Sequence, residues 1–189
     1  MNNLISTKCV ISYKSILRLL PLIVVVFLVS CAAVGKYTPE PSLAEGAVEK
    51  VTITNPIKIT NSQPSTEEHP LGFRGIIVNY NTFTQSLVDA LKMEYKRNKG
   101  TVSDSAEKEL KVKITNVDME RGTLNFRAYV HAEVTYGDGK TEKFEATDAS
   151  YGSPLMVNHF PTKPLESTFR QLVIQIIQNQ NIQNYINKM

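Results

Sequence analysis

Strict alternation of apolar and polar residues is strongest in the second half of the chain. Apolar side chains occupy every even position from Leu124 to Tyr136, and mostly polar or charged side chains stand between them. The segment Leu110–Ile114 alternates in the same way, and its phase shifts before Val117. The pattern predicts two strands, the first of which has a bulge near Asn116.

Two short turns connect these strands to each other and to a third strand. Residues 120–122 (ERG) and 137–139 (GDG) have the composition of hairpin turns. The segment 140–148 is more charged but directs Phe144 and Ala146 to the apolar side. We therefore predict an antiparallel meander with one apolar and one solvated face.

A further strand is predicted earlier in the chain. In the segment 51–60 the apolar residues Val51, Ile53, Ile57 and Ile59 all stand at odd positions. Pro56 within the segment indicates an edge position or a bulge, because proline donates no ladder hydrogen bond. An uncovered edge here could accept a strand from another chain. Residues 61–72 have the composition of a loop, and 76–80 is a candidate short strand.

Two segments have the spacing of amphipathic helices. The first has an apolar face from Phe83 to Tyr95, with Thr82 and Gln85 at capping-box spacing and Gly100 suited to the C-cap. The second begins near Pro164, and its helical spacing continues weakly into an Asn/Gln-rich end, which predicts a frayed or kinked extension. Its apolar stripe consists of Leu165, Phe169, Leu172, Val173, Ile176 and Ile177.

The order strand, helix, three-strand meander, helix predicts the α+β class. We expect an antiparallel sheet of about four strands with two helices packed on one face. The chain divides into a leader at 1–30, a flexible tether at 31–47, where Pro, Gly, Ser and charged residues mix without periodicity, and a single α+β domain at 48–189.

The leader supplies the most specific motif. A basic segment precedes the apolar run Leu19–Val29, which is too short to span a bilayer but fits a secretory signal. Directly after it, Leu28 to Cys31 (LVSC) resembles the lipobox of bacterial lipoproteins. The resemblance implies that residues 1–30 are a lipoprotein signal peptide, and that Cys31 is acylated and becomes the new N-terminus of a lipidated tether at 31–47. In lipoproteins of two-membrane bacteria, an Asp directly after the acylated cysteine retains the protein in the inner membrane. Here that position is Ala32, which resembles lipoproteins sorted to the outer membrane. There are two alternatives. One is an ordinary signal peptide followed by an incidental cysteine, and the other is an uncleaved membrane anchor.

Charge and cysteine content narrow the function classes. The chain has 21 Lys+Arg and 18 Asp+Glu, and Lys8, Lys14 and Arg18 lie in an acid-free leader, so residues 31–189 carry equal numbers of basic and acidic groups. This balance argues against nucleic-acid binding. Acylation of Cys31 and loss of Cys9 with the leader would leave no thiol for a disulfide or a cysteine-based metal site.

Candidate catalytic chemistry is sparse. His69, His131 and His159 have no zinc-type spacing, although His131 and Glu133 share a strand face and could form a metal-ligand or acid–base pair. Residues 150–154 lack the glycines of a nucleophile elbow. We expect no enzymatic activity, no cofactor and no metal.

Binding surfaces are the remaining candidates. The solvated face of the longest strand carries Arg127, Tyr129, His131 and Glu133, a mixture suited to a partner contact, although a merely solvated face has the same composition. The apolar stripe of the second helix could line a groove for an acyl chain, but stripes of this kind usually belong to a core.

The layout of 48–189 resembles small outer-membrane lipoproteins. A strand after the tether, a helix at 83–99, strands at 110–117 and 126–136, a Gly-Asp-Gly turn and a long C-terminal helix follow in order. They are similar to those of YajG-type lipoproteins, the auxiliary lipoprotein of lipid-transporting ABC systems, and the lipopolysaccharide-assembly lipoprotein. The resemblance implies a non-catalytic accessory or scaffold role in an envelope assembly or transport complex, on the periplasmic side of the outer membrane, or at the cell membrane of a one-membrane host. A periplasmic carrier of a lipid or glycan ligand is the alternative.

Overall fold

Seven strands and three helices make up the part of the chain that the computed structural model describes, residues 35–40, 42–44, 46–49, 51–71, 76–123, 125–137, 139–151 and 162–188. The elements are β1 (Gly35–Lys36), β2 (Ile57–Asn61), β3 (Glu68–Pro70), β4 (Ile76–Asn79), α1 (Tyr80–Arg97), β5 (Lys108–Arg121), β6 (Asn125–Tyr136), β7 (Lys140–Tyr151), α2 (Thr162–Gln178) and α3 (Gln180–Asn187). The predicted α+β class is confirmed. None of these three helices combines the length and apolarity needed to cross a membrane.

The larger sheet has the strand order β2-β5-β6-β7. Strands β5, β6 and β7 form the predicted antiparallel meander, and the register shift between Ile114 and Asn116 confirms the bulge. Strand β2 lies at the sheet edge, but it pairs with β5 in parallel, so the sheet is mixed rather than wholly antiparallel. The reason is that α1 connects the two strands as a crossover and returns the chain to the same end of the sheet.

The helices α1 and α2 cover one face of this sheet. Helix α1 packs on β2 and β5, and α2 packs on β6 and β7. The inward side chains of β6 from Phe126 to Tyr136 are buried against them, as the alternation predicts. The opposite face of the sheet bears the polar positions and is open to solvent.

A second, smaller sheet was not predicted. Its strand order is β1-β4-β3, with β1 parallel and β3 antiparallel to β4. The predicted short strand at 76–80 corresponds to β4, whereas β3 lies within the predicted loop 61–72. Strands of two to four residues carry too little alternation for a pattern to identify them.

The helix ends differ in detail from the prediction. Asn79, not Thr82, caps α1, because its side-chain oxygen accepts a hydrogen bond from the Thr82 N–H at 3.0 Å. At the other end Asn98 is the C-cap, and Lys99 rather than Gly100 has a positive φ, of 64°. The predicted kinked extension is a separate helix, α3, which Asn179 caps.

The predicted tether packs against the domain over its described part. Gly35 and Lys36 pair with β4, and Leu43 is buried in the core, as is Val48 at the start of the predicted domain. We call the described residues between Gly35 and Glu49 the N-terminal strap. Its apolar side chains explain why it does not remain free. Residues 1–34, including Cys31, lie outside the described part of the chain.

Candidate functional site

The four predicted surface residues lie together on the open face of the larger sheet. Arg127, Tyr129, His131 and Glu133 alternate along β6 with buried apolar residues, so all four project away from the helices. Because β6 is flanked by β5 and β7, they occupy the centre of this face rather than its margin.

Arg127 and Tyr129 form a small hydrogen-bonded cluster with β5. The Tyr129 hydroxyl donates to Glu120 Oε2 at 2.8 Å, and Arg127 Nη1 donates to the Tyr129 hydroxyl at 3.4 Å. This hydrogen bond to Tyr129 raises the pKa of the already basic Arg127 guanidinium. The cluster presents a fixed positive charge beside an aromatic ring, the composition enriched in protein interfaces.

His131 and Glu133 do not pair with each other. His131 Nδ1 lies 3.5 Å from Glu145 Oε1, and Glu133 Oε1 lies 3.7 Å from Lys143 Nζ, so each has a partner on β7. The Lys143 and Glu145 side chains are mostly exposed. Exposed pairs of this kind contribute little stability, of order 0.2–1 kcal/mol. The geometry indicates a surface of alternating charges and does not form an acid–base dyad from His131 and Glu133.

The edge strand β2 is partly covered. The Ile57 N–H donates to the Thr101 carbonyl at 2.9 Å, and the Ser103 N–H donates to the Ile57 carbonyl at 2.9 Å. The segment after α1 thus occupies the outer side of β2 at its first residue, where a strand from another chain would have to begin pairing.

The apolar stripe of α2 forms core. All six of its residues, from Leu165 to Ile177, have 0% exposure. They pack beneath the helix against the sheet, so the stripe does not line an accessible acyl groove. The usual assignment of such a stripe to a core therefore holds here.

A polar cleft between α3 and the β6–β7 hairpin was missed by the sequence analysis. Its volume is about 670 Å³. Its lining residues are Lys108, Tyr136, Lys140, Glu142, Asn181, Asn184, Tyr185 and Lys188. We call it the C-terminal cleft. A second groove, of about 520 Å³, lies beside the 101–107 loop and shares the lining residues Lys108 and Lys188 with the C-terminal cleft.

Tyr185 organises the C-terminal cleft. Its ring centroid lies 5.1 Å from that of Tyr136, and Lys108 Nζ lies over its face at 5.1 Å from the centroid. Its hydroxyl accepts a hydrogen bond from the Glu109 N–H at 3.2 Å. At Gly137, where φ is 56°, an added Cβ would lie 2.6 Å from the Tyr185 ring, so glycine permits the hairpin turn to approach.

The charge in the cleft is predominantly positive. Three lysines line it against one acid, Glu142. The Glu142 carboxylate accepts hydrogen bonds from the Tyr136 hydroxyl at 3.2 Å and from Asn181 at 2.9 Å. Periodicity could not reveal this site, because its residues come from β5, the hairpin and α3. The local signal in the sequence is the Asn-rich end, in which the exposed Asn181 and Asn184 alternate with the buried Ile182 and Ile186.

Of the three histidines, His69 and His131 lie in the part of the chain that the structure describes. His69 lies in β3 and stacks against Tyr80, with ring centroids 4.8 Å apart. Within the described ranges, no three His, Cys, Asp or Glu side chains converge in a way that could hold an ion. His159, most of the 150–154 segment and Cys31 lie outside the described residues.

Compared with known proteins, the sequence matches no family model and no curated protein. In fold, the chain is similar to the structure of a hypothetical protein from Chlamydia trachomatis, with 10% identity and a TM-score of 0.49 over 72% of this chain and 99% of that one. It is also similar to a candidate lipoprotein from Caulobacter crescentus, with 11% identity and a TM-score of 0.37 over 52% of this chain and 79% of that one. At these identities and TM-scores, neither likeness bears on what the protein does.

Proposed function

We propose that the protein is a bacterial lipoprotein, acylated on Cys31, that acts without catalysis as an accessory of an envelope assembly or transport complex. The observation that carries this proposal is the LVSC sequence from Leu28 to Cys31 directly after an eleven-residue apolar run. Two or three acyl chains would anchor the domain stably, because each buried methylene contributes roughly 0.8 kcal/mol. Ala32 favours the periplasmic face of the outer membrane.

The open face of the larger sheet supports the accessory role. Its charges pair across strands, and Arg127 and Tyr129 offer a cation and an aromatic ring at the surface. Such a face can bind a partner protein through a rearrangement of exposed side chains alone, at small cost in folding stability.

Replacement of the lipobox cysteine tests the anchor. In cells fed an acyl-chain analogue, Cys31→Ser should accumulate as unprocessed precursor without label, because the thiol that accepts the lipid is missing. Cys9→Ser is the matched control and should be processed and labelled as the natural protein is. Normal processing of Cys31→Ser, or a bare thiol on Cys31 in the intact mass of the natural protein, would contradict the proposal.

Charge reversal on the open face tests the accessory role. Cross-linking in cells, followed by purification of the tagged protein, should recover envelope proteins with the natural sequence and lose them with Arg127→Glu combined with Tyr129→Ala. Lys96→Glu, an exposed reversal in the last turn of α1, is the control and should keep them. Identical recovery with both variants would exclude this face as the contact.

The C-terminal cleft favours a second candidate, the binding of an anionic polar ligand such as an acidic sugar. Lys108 and Lys188 border both the cleft and the adjoining groove, and Asn184 adds amide donors. Calorimetric titration with a hexuronate disaccharide and with inorganic pyrophosphate tests it. Binding that disappears in Lys108→Ala with Lys188→Ala but persists in Lys96→Ala would support it. No heat with either probe would count against it.

A further inference from the structure

The distance between the proposed anchor and the folded domain is short. Only residues 32–34 separate Cys31 from Gly35, where β1 begins. A chain extends at most about 3.6 Å per residue, so Gly35 stays within about 14 Å of the acylated residue whatever path the intervening residues take. The expected tether of 31–47 would have allowed several times that distance.

The first described residues are held to three elements of the domain. Gly35 and Lys36 pair with Ile76 and Ile77 of β4, and the Tyr37 N–H donates to the Ile77 carbonyl at 3.2 Å. These backbone bonds attach the start of the N-terminal strap to the smaller sheet.

The Tyr37 side chain adds contacts to both long helices. Its ring meets Phe83 of α1 edge-on, with centroids 6.0 Å apart, and its hydroxyl donates to Glu166 Oε1 of α2 at 3.4 Å. Burial, together with the charge of Glu166, raises the pKa of this hydroxyl, so it stays protonated, as a donor to Glu166, above the pH at which an exposed tyrosine ionises. The start of the N-terminal strap is thus held at the end of the domain where α1 and α2 begin.

We infer that this end of the domain rests on the lipid surface. We call it the anchor end: β1, β3, β4 and the first turns of α1 and α2. The opposite end carries the 101–107 loop and the C-terminal cleft. Helix α1 joins the two ends, and its 18 residues span about 26 Å, so the cleft projects away from the membrane. This inference rests on the proposed acylation of Cys31.

Fluorescence energy transfer from the domain to labelled lipids tests the orientation. The acylated full-length protein is reconstituted in phosphatidylcholine–phosphatidylethanolamine vesicles that contain a rhodamine lipid. Residues 32–189 contain no cysteine, so a donor dye can be placed at one introduced thiol. Glu67→Cys, beside β3, reports on the anchor end, and Asp104→Cys reports on the opposite end. Both positions are exposed.

We expect several-fold higher transfer efficiency at position 67 than at position 104. Insertion of 20 Gly/Ser residues between Ala33 and Val34 adds about 25 Å of flexible reach and should abolish most of this difference. Equal transfer at the two positions without the insertion would overturn the inference. The intact mass of each sample separates the two proposals: a bare Cys31 contradicts the lipoprotein assignment, whereas acylated Cys31 with equal transfer contradicts the orientation alone.

Discussion

Two buried tyrosine hydroxyls differ in their partners. The Tyr37 hydroxyl is bonded to Glu166, whereas Tyr95 is 1% exposed and its hydroxyl has no hydrogen-bond partner in the described structure. Burial raises the pKa of both hydroxyls above the ordinary value for tyrosine, with Glu166 adding to the effect at Tyr37. A buried polar group without a partner costs about 1–3 kcal/mol, so the hydroxyl of Tyr95 lowers the stability of the fold.

Tyr95→Phe should therefore raise the free energy of unfolding by about 1 kcal/mol at pH 8, measured by urea denaturation. Tyr151→Phe is the control. Because the Tyr151 side chain is 75% exposed, this substitution should change the free energy of unfolding little. The natural protein should also lose stability as pH rises above about 10, because tyrosines ionise in the unfolded chain while Tyr95 keeps its proton in the fold. Tyr95→Phe should lose less over that range. A less stable Tyr95→Phe variant at pH 8 would mean that the hydroxyl has a partner.

At the scale of the elements, β5 continues past the end of its neighbour β2. The Ile114 N–H donates to the Thr84 hydroxyl of α1 at 3.0 Å, and the Ile114 carbonyl accepts from the Gln63 side chain at 2.6 Å. Further along, the Val117 N–H donates to the Tyr80 hydroxyl at 3.4 Å. Side chains thus take over the hydrogen bonds that a longer β2 would have made, and they protect this part of the sheet edge.

Thr84→Val should lower the free energy of unfolding by about 1–3 kcal/mol, because a methyl group replaces the buried acceptor of the Ile114 N–H with almost no change in volume. The matched control is Thr168→Val. That threonine is equally buried, but its hydroxyl donates only to the Pro164 carbonyl one helical turn earlier. Urea denaturation compares the two. Equal losses would mean that the hydrogen bond to β5 is no more important than one within a helix.

Elements with many repeats of a pattern were predictable from the sequence, and short ones were not. Twelve alternating residues identify β6, and the phase shift locates the bulge in β5. Strands β1 and β3 have two and three residues, and their pairing with β4 depends on contacts across the fold. The same distinction holds for the sites: one strand carries the open-face residues, whereas the C-terminal cleft assembles Lys108 with residues of α3.

At the scale of the whole molecule, the N-terminal strap joins the two ends of α1. Tyr37 lies against Phe83 near the start of that helix, and the Leu43 carbonyl accepts a hydrogen bond from Arg97 Nη1 at 3.1 Å in its last turn. Arg97 also pairs with the buried Glu94. Packing of the strap therefore determines how much chain lies free between the domain and any anchor.

Leu43→Ala should loosen the strap and lower the free energy of unfolding by about 2 kcal/mol, because Leu43 is 7% exposed and its removal leaves a cavity beside α1. Met93→Ala on the same helix is the control, since Met93 is 53% exposed, and should have little effect. Amide hydrogen exchange should accelerate most at Leu43 and Ala44 and least in β6, because release of the strap is local and needs no opening of the sheet. In vesicles, energy transfer at position 67 should stay unchanged in Leu43→Ala, because β1 and Tyr37 lie between Leu43 and Cys31 and remain attached to the domain. Unchanged exchange at positions 43 and 44 would show that the Leu43 side chain does not hold this part of the strap.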